Sequence, residues 1–232
     1  MGKLEIPANP GRSGVGQTAS ETLTVNEIFY SIQGESSYAG LPCVFVRLTE
    51  CNLRCSYCDT EYAFYEGNAM PLDRVLEEVD KYRCNLVEIT GGEPLLQPPV
   101  HELMRRLVER GKKVLLETGG SLDISPVPRE VTIILDIKTP GSKMEHQNLW
   151  SNLDVLKPVD EIKFVVSDRE DYEWARQVIR DRRLGERFRV LISPVFGSNL
   201  SDLARWILED HLPARFQIQL HKIIWGPDVR GV

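Results

Sequence analysis

Three of the five cysteines, Cys51, Cys55 and Cys58, fall within eight residues in the spacing C-x3-C-x2-C. Three thiolates on one short loop can converge on a metal centre, and thiolate is a soft ligand suited to iron–sulfur clusters, zinc or copper(I). Electron-transfer cubanes and structural zinc sites take four protein ligands. No fourth is offered nearby, since no histidine lies between Cys43 and His101. A cubane held by three cysteines keeps one iron open, and an open position is where chemistry can occur. The competing readings are an incomplete zinc site and buried structural thiols.

Other chemistry-bearing residues sit at the ends of apolar runs. Thr90-Gly91-Gly92-Glu93-Pro94 puts a glycine pair where backbone can approach a ligand closely. Asp136 and Lys138 are two apart and share a strand face, able to meet a zwitterion or to pair on the surface. Gln33, before Gly34, offers both donors and an acceptor to a heterocycle edge. Arg47, in an apolar run, calls for an anion: a substrate carboxylate, or Glu50 or Glu27 within the chain. Glu117, at another strand end, is placed for a ribose hydroxyl or for solvent.

The elements that must position these residues alternate. Strands are expected over Val25–Gln33, Pro42–Leu48, Leu86–Thr90, Lys113–Glu117, Val131–Ile137, Glu161–Val166, Arg189–Val195 and Phe216–Leu220. Helices are expected over Pro71–Lys81, Pro99–Arg110, Asn148–Leu156, Asp168–Leu184 and Ser201–Asp210. Such alternation means βαβ units and a mostly parallel sheet, too few for a full eight-fold barrel. An α/β fold of the partial (β/α) barrel type follows, its ligands held by loops at the carboxyl ends of the strands. Residues 1–20 read as a flexible arm rich in Gly, Pro and Ser, and 21–232 as a single domain. The segment from Trp225 to Val232 reads as a loop-like tail.

Composition narrows the partners. A net charge of −6, with no Lys/Arg run beyond a pair, argues against a nucleic-acid surface and favours a small-molecule substrate. No apolar stretch reaches the length of a membrane span, and no signal-peptide core is visible at the N-terminus. A clustered, odd set of cysteines suits a reducing, cytoplasmic setting.

The C-x3-C-x2-C loop, with Tyr57 before its last cysteine, resembles the signature of the radical S-adenosylmethionine (SAM) enzymes. That resemblance implies a [4Fe–4S] cluster whose open iron binds SAM and reductively cleaves it to a 5′-deoxyadenosyl radical. Further segments narrow the likeness. Ile32-Gln33-Gly34-Glu35, Phe45-Val46-Arg47, Asp59-Thr60, Thr90 to Pro94, Leu116-Glu117-Thr118 and the end of the chain from Trp225 resemble the 7-carboxy-7-deazaguanine synthase family. The resemblance runs from about Val25 onward. It implies conversion of 6-carboxy-5,6,7,8-tetrahydropterin to 7-carboxy-7-deazaguanine with loss of ammonia, in queuosine and deazapurine biosynthesis.

Position by position, the resemblance implies cluster ligation by Cys51, Cys55 and Cys58, and a Mg²⁺ contact from Thr60. It implies SAM contacts from Tyr57, Cys58, Asp59, Gly92, Glu117, Asp136, Ile137 and Lys138. Substrate contacts fall to Ile32, Gln33, Gly34, Arg47, Thr90 and the Val232 carboxylate. Some members carry Ser-Pro-Lys where this chain has Asp136-Ile137-Lys138. A homodimer and an external electron donor of flavodoxin or ferredoxin type are also implied. The rival readings are a glycyl-radical activating enzyme, which needs a protein partner, and a non-catalytic metal-binding module.

Overall fold

The computed structural model describes residues 21–232. The arm expected over residues 1–20 lies outside the described residues. Nine strands form one sheet in the order β3-β1-β2-β4-β5-β6-β7-β8-β9. They are β1 (Thr22–Ile32), β2 (Pro42–Leu48), β3 (Asn68–Pro71), β4 (Leu86–Gly91), β5 (Lys113–Thr118), β6 (Thr132–Asp136), β7 (Glu161–Val166), β8 (Arg189–Pro194) and β9 (Arg215–Phe216). Strands from β2 through β9, β3 aside, pair in parallel, while β1 runs antiparallel to both β2 and β3. The sheet does not close, so the partial barrel expected from the alternation is the architecture observed.

The helices are α1 (Leu72–Asp80), α2 (Val100–Glu109), α3 (Asn152–Val155), α4 (Arg169–Asp181), α5 (Leu184–Arg187), α6 (Leu200–Glu209) and α7 (Leu220–Trp225). Helix α2 shows why they pack as they do. Val100, Leu103, Met104 and Leu107 fall at helical spacing and are buried, while Glu102, Arg105 and Glu109 pair on the wet face. Helix α4 repeats the scheme with Tyr172, Ala175 and Ile179, and the Asp168 side chain caps it by accepting from Asp171 N at 2.9 Å. The central strands are buried on both faces, as a covered parallel sheet requires. Cys43 is one of these buried core residues, as its place in the run suggested.

Several boundaries differ from expectation. Strand β3 is short and largely exposed, and it is held by pairing with β1 instead of by a hydrophobic pattern. The helix expected over Asp168–Leu184 breaks at Arg183, whose φ of 52° interrupts it before α5. Only Asn152–Val155 is helical within 148–156. The last expected strand, Phe216–Leu220, is instead a two-residue strand followed by α7. Helix α7 exposes Ile223, Ile224 and Trp225, so no amphipathic period announces it. Tertiary bonds hold it: Leu220 N donates to Gly34 O at 3.0 Å, and Lys222 pairs with Asp59.

Candidate active site

The loop from Thr49 to Thr60 leaves β2 through Glu50, whose φ of 76° turns the chain sharply. It is stapled along its length. Glu50 N donates to Ala63 O at 2.9 Å, and Glu93 N donates to Glu50 O at 2.8 Å. Buried Leu53 anchors the first half. Ser56 N donates to Ser142 O at 3.1 Å, and the Tyr57 hydroxyl donates to Val165 O at 3.1 Å. The carboxyl ends of β4, β6 and β7 therefore touch this loop.

The glycine pair serves that contact. Gly91 has a φ of 136°, and a Cβ there would overlap Leu48 backbone. A Cβ on Gly92 would overlap Glu50 O and press on Cys51 Cβ. Small residues are demanded here by the loop itself as much as by any ligand. Glu93 completes the joint from within the core: Gly119 N donates to it at 2.8 Å and the Thr118 hydroxyl at 2.9 Å.

The strand ends enclose a cavity of about 740 Å³, toward the upper end of what small-molecule sites occupy. Cys51, Cys55 and Cys58 all face it, as do Tyr57, Asp59, Thr60, Gly92, Glu117, Asp136 and Lys138. So do Ile32, Gln33, Gly34, Arg47, Thr90 and Val232. Ile137 is the exception among the expected residues. Strand alternation turns its side chain into the hydrophobic core, and its backbone N–H donates to Lys163 O at 2.8 Å.

Burial raises the pKa of all three loop thiols, Cys58 to about 11, so without metal they carry protons. Coordinated iron removes such protons outright. The donor set suits a cubane, in which each thiolate takes a different iron around a wide body. Among the described residues no three His, Cys, Asp or Glu side chains gather around a single-ion point. Next to the thiols, Asp136 pairs with Lys138 at 3.0 Å, so the acid and base expected on one face do meet. Asp136 Oδ1 is buried with no partner among the described residues. An orphaned acceptor facing this cavity suits a ligand ammonium or hydroxyl, as a bound amino-acid moiety provides.

Two expected readers are already engaged. The Arg47 Nε pairs with Glu27 at 2.8 Å, one of the two internal partners expected with Glu50, while its side chain still lines the cavity. Gln33 accepts from Glu35 N at 3.0 Å and donates through Nε2 to Glu88. Its amide is oriented from inside the protein and keeps one hydrogen to spare.

The most charged corner was not foreseen. Lys163, on β7, is buried and pairs with Glu35 at 2.9 Å, with Glu117, and more distantly with Asp136 at 3.5 Å. Burial opposes its charge, yet these three carboxylates outweigh burial and raise its pKa well above the lysine range. Glu88, Gln219, His221 and Lys222 also line the cavity. Gln219 donates to Glu35 at 3.0 Å, and His221 lies so close to Gly34 that a Cβ there would overlap its ring. A lysine and a glutamate inside apolar strands were visible signals; their convergence was not.

Residues 46–146 match the Radical SAM superfamily. A 7-carboxy-7-deazaguanine synthase of Koribacter versatilis (strain Ellin345) is 47% identical over 226 residues, covering 90% of this chain and 100% of that protein. One from Chlorobaculum tepidum is 46% identical over 214 residues, covering 90% and 97%. The crystal structure of QueE from Escherichia coli shares the fold with a TM-score of 0.73 at 22% identity, over 86% of this chain and 95% of that one.

Proposed function

Since the chain belongs to the 7-carboxy-7-deazaguanine synthase family within the radical SAM superfamily, we propose that it converts 6-carboxy-5,6,7,8-tetrahydropterin to 7-carboxy-7-deazaguanine. Ammonia is lost, and the product enters queuosine and related deazapurine biosynthesis. Family membership sets aside the glycyl-radical activating enzyme and the non-catalytic module. The observation that carries the reading is one cavity that joins three thiols to Arg47 and to polar strand ends.

Cys51, Cys55 and Cys58 would hold the cluster, and Tyr57, Asp59, Gly92, Glu117, Asp136 and Lys138 would line the SAM site. A [4Fe–4S] cluster and SAM bound there supply the deoxyadenosyl radical chemistry of the superfamily. The chain's own part is to hold the substrate in reach and keep water out. Arg47 offers its guanidinium to the substrate carboxylate, and Ile32, Gln33, Gly34, Thr90 and Val232 surround the ring. Thr60, whose hydroxyl donates to Asp59 at 2.9 Å, would turn an oxygen toward Mg²⁺, a hard cation completed by substrate oxygens and water. A homodimer, a flavodoxin- or ferredoxin-type electron donor and a cytoplasmic setting complete the reading.

Anaerobically reconstituted protein given SAM, reductant and the carboxytetrahydropterin should release 7-carboxy-7-deazaguanine with SAM used catalytically. SAM turnover without that product would remove the proposal. Thr60→Ala should blunt the response of the rate to magnesium, and an unchanged response would clear Thr60 of that role.

A further inference from the structure

The floor of the cavity carries a carboxyl that the preceding reading leaves without a task. Glu88, midway along β4, is 4% exposed and lines the cavity. Gln33 settles how one of its oxygens is used. Because Gln33 Oε1 accepts from Glu35 N, its Nε2 points the other way and donates to Glu88 Oε2. Oε2 is thus an acceptor, while Oε1 makes no hydrogen bond among the described residues. Burial, then the charges of Glu117 and Glu35, push this carboxyl well above the usual carboxylate range, against the pull of Lys163 and Arg47. A neutral carboxyl whose Oε2 is accepting carries its proton on Oε1.

We propose that Glu88 is a specificity-determining residue that donates a hydrogen bond from Oε1 to the carbonyl oxygen of a heterocyclic lactam bound in the cavity. The assignment rests on the pterin reading above, since a pterin presents such a carbonyl on its pyrimidine ring. A donor on the cavity wall disfavours a ligand that covers it without accepting from it, because the donor is then left buried and unpaired. Glu35 and Glu117 each turn an oxygen to the Lys163 ammonium, so Glu88 is the carboxyl of this cluster placed to read a carbonyl.

The test measures anaerobic binding of the carboxytetrahydropterin, and of an analogue lacking the ring carbonyl oxygen, to the wild-type holoenzyme, E88Q and E88L. Glutamine reproduces the neutral acid, with an acceptor toward Gln33 and a donor at the position of Oε1. E88Q should therefore bind the pterin within about three-fold of wild type, whereas E88L should lose roughly ten- to a hundred-fold. Wild type should disfavour the analogue by a similar factor, and E88L should not distinguish the two ligands. SAM binding should be the same in all three proteins, and a protonated-carboxyl infrared band should disappear in E88Q. E88Q falling as far as E88L, E88L binding like wild type, or wild type accepting the analogue equally well would each overturn the assignment. The analogue comparison needs only wild-type protein, so a poorly folded variant does not spare the idea. Wild type that binds no pterin would overturn the substrate reading itself, whereas pterin binding with indifferent Glu88 variants would overturn this assignment alone.

Discussion

Lys222, on the helix after the last strand, pairs across the cavity mouth with Asp59, which follows the third loop cysteine and lies 163 residues away. Lys222 is nearly buried, and its ammonium stands over the Phe196 ring at 5.6 Å. Burial disfavours the charged form of Asp59, yet this ammonium outweighs it and holds the carboxyl well below its usual range. Lys222→Met keeps the stem and removes the charge. Because Asp59 is almost half exposed, solvent screens the pair, and the variant should lose only about 1 kcal/mol of stability. Amide hydrogen exchange over Leu220–Trp225 should quicken well beyond that of α2. Equal protection in both proteins would mean that the pair does not hold α7.

Gly92→Ala should act on the loop and not on a ligand. The added methyl meets Glu50 O and Cys51 Cβ, neither of which is a flexible side-chain tip. We expect about 1–3 kcal/mol of destabilisation and a lower iron content after reconstitution. Full iron loading with normal stability would show that the strand end has slack that the structure does not display.

Arg47→Ala should raise KM for the carboxylated substrate far more than it lowers kcat. Charge-assisted hydrogen bonds contribute about 1.5–3 kcal/mol, or roughly ten- to a hundred-fold. The pairing with Glu27 at 2.8 Å adds a second effect, since the variant strands that carboxylate. Arg47→Ala/Glu27→Gln should therefore recover stability without recovering KM. Recovery of both would assign Arg47 to the fold alone.

Stability against pH should report Glu88. Its folded pKa is raised by burial, and then by Glu117 and Glu35. Native protein therefore keeps a proton that the unfolded chain releases. This contribution is complete below the ordinary carboxyl value and is lost as pH rises through the raised folded value, by at most about 1.4 kcal/mol per pH unit. The Glu88→Gln variant should flatten the wild-type decline above the ordinary carboxyl range. Parallel unfolding curves across that window would place the proton elsewhere.

The parts of the fold visible in the sequence are those with local chemical signals. The cluster loop was legible because three cysteines within eight residues have few other uses in a reducing setting. Strand ends were legible because Gly91-Gly92 and Thr118-Gly119-Gly120 interrupt apolar runs. Arg47 was read two ways: Glu27 takes its Nε, and its side chain also lines the cavity where a substrate carboxylate was expected. Lys163 and Glu88 escaped because nothing within their own strands shows what they face. Lys163 reaches Glu35 across 128 residues and Glu117 across 46, and only the order of strands brings them together. Helix α7 escaped for a related reason: its bonds are tertiary, and its outward apolar residues conceal any period.

A single ammonium, that of Lys163, answers to acids from three separate segments: Glu35 after β1, Glu117 on β5 and Asp136 on β6. Altering any one acid leaves the ammonium under-compensated, and altering the lysine leaves Glu117 with no cation among the described residues, while Asp136 falls back on Lys138 and Glu35 on Gln219. That corner resists piecemeal revision. Anyone retargeting the scaffold to another ring system would find more freedom around the entrance than at this hub, and drift among descendants should follow the same contour.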